Sequence, residues 1–104
     1  MPYRFRTHHR CPVSLPLTYG RGVHEGQGMV WNLSVVGWRI SGNLLFQRGA
    51  VCELSVTLPT QQQVTVSAGI VRWVRDRECG IETLVMSRTA QTQLDDYLRA
   101  CANA

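Results

Sequence analysis

The sequence predicts an all-β domain closed by one helix: a six-stranded antiparallel β-barrel with a single α-helix after the last strand. Three observations carry that prediction. Short runs of alternating apolar and polar residues recur along the chain, clusters of glycine, proline and small polar residues separate them, and only the last segment switches to helical apolar spacing. A chain of 104 residues holds one modest core and not two. The expected division is a flexible arginine-bearing arm over residues 1–11, a barrel over 12–85 and a helix over 87–102, forming one domain.

Val13, Leu15, Leu17 and Tyr19 alternate with Ser14, Pro16 and Thr18, the pattern of a half-buried strand. Pro16 has no N–H to give to a ladder, which puts this strand at an edge, a barrel seam or a bulge. The glycines from Gly20 to Gly28 are expected to form a turn-rich link, after which Met29 to Leu33 is the second strand and Trp38 to Ser41 the third. Cys52, Leu54, Val56 and Leu58 alternate with Glu53, Ser55 and Thr57 as the fourth strand, stopped by Pro59. Val64, Val66 and Ala68 begin the fifth. Parity then shifts at Gly69 before Ile70, Val71, Trp73 and Val74, which predicts a bulge. Arg75 to Glu78 is a charged hairpin loop, and Cys79 to Leu84 returns as the last short strand. Ser87 is placed to cap a helix whose Ala90, Leu94, Tyr97, Leu98 and Cys101 form one apolar stripe. That stripe is expected to pack on the barrel.

The formal charge is +4, and every one of the eleven basic residues is arginine. Arginine's planar fork matches phosphate and the O6/N7 edge of guanine, although a codon bias toward arginine would give the same composition. No run approaches the ~18 apolar residues of a membrane span, and no secretory leader follows the basic N-terminus. A cytoplasmic location without membrane insertion is therefore expected. Cys11, Cys52, Cys79 and Cys101 lack any CxxC spacing, so they are expected as free thiols and not as a zinc ribbon. His8, His9 and Cys11 do not make a metal-ligand pattern, and neither a bound metal nor a cofactor is expected.

Chemistry concentrates in two short stretches. In Asn32-Leu33-Ser34-Val35-Val36-Gly37, residues two apart share a strand face, so Asn32 and Ser34 are expected to point together toward solvent or a ligand while Leu33 and Val35 face the core. Gly37 lets the chain turn or leaves room for a ligand. Upstream, Arg6-Thr7-His8-His9-Arg10 carries two guanidinium groups four residues apart. If extended they lie ~13 Å apart, too far to pinch one phosphate, so the arm must bend around a ligand or span it.

RTHHR, a strand, then NLSVVG between two further strands resembles the PilZ domain, a bacterial receptor module for cyclic di-GMP. The resemblance covers most of the chain and implies the same barrel and C-terminal helix. It implies a cyclic di-GMP site made by Arg6, Arg10, Asn32, Ser34 and Gly37, where Asn32 stands in place of the aspartate of many members. Trp73 resembles a position near the bound base in some members, Trp38 could stack on a ligand or crowd it, and Arg4 and Arg39 are possible electrostatic helpers. The function implied is a non-enzymatic second-messenger receptor whose arm changes conformation on binding and signals to a partner protein, in motility, biofilm or exopolysaccharide control, as a monomer or homodimer.

Two alternatives keep the fold. One is an adaptor acting through protein contacts without a nucleotide. The other is a small basic barrel for single-stranded nucleic acid, which modest charge and dispersed aromatics make the weaker reading. Catalysis has no assembled constellation: there is no GxSxG elbow and no paired-carboxylate signature.

Overall fold

Inward-facing Leu15, Leu17 and Tyr19 on the first strand meet Val30 and Leu33 on the second, and this alternation, repeated along every strand, closes the sheet on itself. The computed structural model describes residues 10–21, 24–42 and 47–102. The strands are β1 (Cys11–Arg21), β2 (His24–Leu33), β3 (Gly37–Gly42), β4 (Val51–Thr57), β5 (Gln63–Arg75) and β6 (Glu78–Met86), followed by helix α1 (Arg88–Ala102). They form a closed antiparallel barrel in the order β1-β2-β3-β6-β5-β4. Its interior is filled by Val30, Leu33, Ile40, Leu54, Val56, Val64 and Val66, all fully buried.

Two seams join strands distant in sequence. β1 meets β4 from Leu17 opposite Val56 to Gly20 opposite Glu53, and β3 meets β6 from Gly37 opposite Glu82 to Ser41 opposite Glu78. Pro16 lies just outside the β1/β4 ladder, between that seam and a register shift over Pro12 to Leu15, so its missing N–H breaks no bond of the seam. The parity change at Gly69 is a bulge: Cys52 pairs with Gly69 and Leu54 with Val66, so β5 carries one extra residue.

The expected link over Gly20 to Gly28 is instead a long hairpin, with β1 running to Arg21 and β2 starting at His24. Its glycines serve packing. A Cβ on Gly26 would lie 2.6 Å from Cζ of Tyr19, and one on Gly42 would also strike the Tyr19 ring. The tyrosine therefore occupies space that side chains on two neighbouring strands would need. β6 is likewise longer than expected, reaching Met86.

The helix begins as its sequence indicates. Ser87 Oγ accepts a hydrogen bond from the Ala90 N–H at 3.0 Å, satisfying one of the free donors of the first turn. Ala90, Leu94 and Leu98 are buried, and Tyr97 and Cys101 are half-buried beside them. This face packs against β5 and β1, while Asp95 and Arg99 pair at 3.0 Å on the exposed side. Among the described residues no helix is long and apolar enough to cross a membrane.

Candidate functional site

Strand pairing brings the two arginine- and asparagine-bearing stretches together. Cys11 lies opposite Leu33 and Pro12 opposite Asn32, so Arg10, at the root of β1, emerges beside the turn that follows Asn32. The same register continues across the sheet. Asn32 pairs with Arg39, Arg39 with Gly80, and Gly80 with Trp73. Directly paired residues share a face, so Asn32, Arg39 and Trp73 stand in one row on the outer surface, with Gly80 as the gap. At ~4.8 Å per strand the row from Asn32 to Trp73 is ~14 Å long.

Over this row lies an open cleft of about 260 Å³ whose lining includes Arg10, Asn32, Gly37, Arg39, Arg72 and Trp73. Trp73 is 40 % exposed. Its indole lies against Gly80, where a Cβ would come within 2.7 Å of Trp73 Cδ1, so the absent side chain at Gly80 seats the ring. An exposed aromatic held in this way is a platform for a planar base. Two of the guanidinium groups are already oriented by carboxylates: Arg72 Nε contacts Glu82 Oε1 at 2.6 Å and Arg39 Nη1 contacts Glu78 Oε1 at 3.3 Å. Both pairs are exposed and contribute little to stability.

Asn32 Oδ1 is buried and has no hydrogen-bond partner among the described residues. A buried acceptor left unpaired costs ~1–3 kcal/mol, and the residue that carries it is part of the cleft lining.

The turn after Asn32 is built differently from the sequence expectation. β2 ends at Leu33, so the two-residue alternation does not carry on to Ser34, which turns inward and is 2 % exposed. Its hydroxyl donates to the Gly37 carbonyl at 2.8 Å and accepts from the N–H groups of Gly37 at 3.0 Å and Val36 at 3.3 Å. Ser34 thus holds the turn and does not share the outer face with Asn32. Val35 is half-buried against the core, as expected. Gly37 is extended, and its role is close approach: a Cβ there would lie 3.1 Å from the Ile81 carbonyl. Trp38 points into the barrel, 2 % exposed, with its Nε1–H donating to the Ser34 carbonyl at 3.1 Å. Trp38 is still part of the cleft lining, but its buried ring offers no face for stacking there. Thr83 completes the clamp from β6, its hydroxyl donating to the Val35 carbonyl at 2.8 Å and its N–H to that of Val36 at 3.0 Å.

Arg72, Gly80 and Thr83 were not apparent as site residues from the sequence, because their relevance comes from cross-strand register. Arg4, Arg6 and the histidines His8 and His9 lie outside the described residues, as does nearly all of the expected arm. Among the described residues no three His, Cys, Asp or Glu side chains gather as a metal site. A larger groove of about 420 Å³ over β1 presents Glu25 and Glu53 and no arginine, which makes it the poorer place for an anion.

The family model for the PilZ domain matches residues 4–100. A search among curated proteins finds none whose sequence matches. Among solved structures, the Bacillus subtilis inhibitor of motility MotI/DgrA superposes with a TM-score of 0.81 at 22% identity, over 99% of this chain and 57% of that one. This chain therefore spans just over half the length of MotI. The PilZ domain of Escherichia coli YcgR, solved with c-di-GMP, gives 0.75 at 11% identity over 94% and 92% of the two chains. The PilZ domain of CeSA from a cellulose-synthesizing bacterium gives 0.69 at 11% identity over 88% and 96%.

Proposed function

The chain belongs to the PilZ domain family, whose members are receptor domains for cyclic di-GMP, and from that premise we propose that it binds cyclic di-GMP in the Arg10–Trp73 cleft and acts as a receptor and effector. The observation that carries this reading is Asn32, whose buried Oδ1 is unpaired among the described residues, in the lining of a cleft that also holds arginines and an exposed tryptophan. A guanine edge supplies N–H donors for such an oxygen, a phosphodiester suits Arg10 and Arg72, and the second base has a stacking platform in Trp73. In this reading Arg6 completes the arginine pair, Ser34 and Gly37 fix the turn that aims Asn32, and the change in the arginine-bearing segment on binding is the signal read by a partner protein.

The nucleic-acid alternative is less well supported. Among the described residues Trp73 is the one aromatic exposed on the row, too few platforms for a run of bases.

Calorimetric titration with cyclic di-GMP, beside cyclic di-AMP and GTP, tests the proposal. Saturable binding selective for cyclic di-GMP is expected. Trp73→Ala should weaken it by ~5- to 100-fold, the worth of one stacked base. Arg10→Ala, Arg72→Ala and Asn32→Ala should each weaken it by ~10-fold or more through lost hydrogen bonds. No heat from protein shown to be folded, or equal binding by an oligonucleotide with a steep salt dependence, would overturn it.

A further inference from the structure

Cyclic di-GMP carries two guanines, while Asn32 and Trp73 stand at opposite ends of a row ~14 Å long. A base stacked on Trp73 needs a reader of its own, because stacking accepts any base. Glu82 stands beside that platform. On β6 it shares the outer face with Gly80, two residues and ~6.6 Å away, and Gly80 is where the Trp73 indole is seated. Glu82 belongs to the same cleft lining as Arg72, Trp73 and Asn32. Across the ladder on β3 it faces Gly37, which puts no side chain in its way. Its side chain is 45 % exposed, and its carboxylate is already oriented, with Arg72 Nε donating to Oε1 at 2.6 Å. Among the described residues Oε2 takes no hydrogen bond, and the pair uses only Nε of the guanidinium. Both Nη groups of Arg72 are left for a phosphodiester.

Resting on the reading of this cleft as a cyclic di-GMP site, we propose that Glu82 is its specificity-determining residue. Its carboxylate accepts the N1–H and N2–H of the guanine stacked on Trp73, and Arg72 is the positioning residue that holds it. An ionised carboxylate only accepts hydrogen bonds, and this edge of guanine offers two donors side by side. Adenine presents a lone pair at N1 and has no 2-amino group, so the same carboxylate faces an acceptor and is left unpaired. Asn32 discriminates less, because an amide carries a donor beside its acceptor. Bonds to an ionised acceptor are the stronger kind, and a site built to bond a polar edge rejects an analogue that lacks it. A lone carboxylate would also repel the two phosphodiesters of the ligand. The Arg72 charge, in contact with Glu82, offsets that repulsion.

The test compares the native protein with Glu82→Ala by calorimetric titration against cyclic di-GMP, cyclic di-AMP and cyclic di-IMP, whose hypoxanthine bases lack only the 2-amino group of guanine. All three ligands carry the same phosphate charge, so the ratio of their affinities reports the base edge and cancels the change in electrostatics. The native protein should prefer cyclic di-GMP to both others. Glu82→Ala should cut its preference over cyclic di-IMP by ~10- to 100-fold, the worth of one hydrogen bond to a charged group, and its preference over cyclic di-AMP by at least as much. Its urea midpoint should match that of the native protein, since the ion pair it removes is exposed. A parallel loss of affinity for all three ligands is what a role confined to orienting Arg72 would give. That result, or unchanged ratios in a native protein that does bind cyclic di-GMP, would overturn the assignment of Glu82 alone. A folded native protein that binds none of the three would overturn the cyclic di-GMP reading and the role of Glu82 with it.

Discussion

At the scale of single residues, Ser34 and Asn32 separate two jobs that the sequence placed on one surface. Two-residue periodicity holds only while a strand continues, and β2 stops between them, so one side chain faces the cleft and the other locks the turn. Ser34→Ala removes the bonds to Val36 and Gly37 and leaves buried backbone groups short of partners. It should lower unfolding free energy by ~1–3 kcal/mol, read by urea denaturation, and weaken nucleotide binding along with it. Arg10→Ala, at an exposed position, should weaken binding while leaving the urea midpoint unchanged. Asn32 and Arg10 were legible because each lies in a short motif. Arg72 was not: it lies in the cleft because β5 pairs with β6 and β6 with β3, a register that no local pattern encodes.

At the scale of elements, the helix and the central strands were legible because burial on one face writes a period into the sequence. The apolar stripe of α1 and its cap are both present as read. Ser87→Ala should cost ~1 kcal/mol, the worth of a cap, whereas Leu94→Ala, at a fully buried position between helix and barrel, should cost ~2–5 kcal/mol. Thermal or urea unfolding of the two variants gives the ordering directly. The β1/β2 hairpin was obscured by its own packing. Glycines at 26 and 42 accommodate the Tyr19 ring, and in a sequence a glycine that makes room for a neighbour is indistinguishable from one that makes a turn.

For the whole molecule, the buried thiols set an alkaline limit on stability. Burial, with a smaller contribution from Cys52, pushes the Cys79 pKa up from 9.0 to about 12, and Cys11 rises to about 11. The folded state therefore holds protons that the unfolded chain releases. This contribution is fully present below pH 9 and is lost as pH climbs through the folded values, at about 1 kcal/mol per pH unit for each group. The melting temperature should fall steadily above pH 9, and Cys79→Ala should make that fall shallower, even though it lowers stability at neutral pH. The two long-range seams also set a tempo. Leu17 must find Val56, and Gly37 must find Glu82, before the ring is complete, and non-local pairing of this kind puts refolding in the millisecond-to-second range. The row from Asn32 to Trp73 exists only once β3 has met β6, so a nucleotide has nothing to grip during the search. A nucleotide bound there as proposed would slow unfolding and would not template folding.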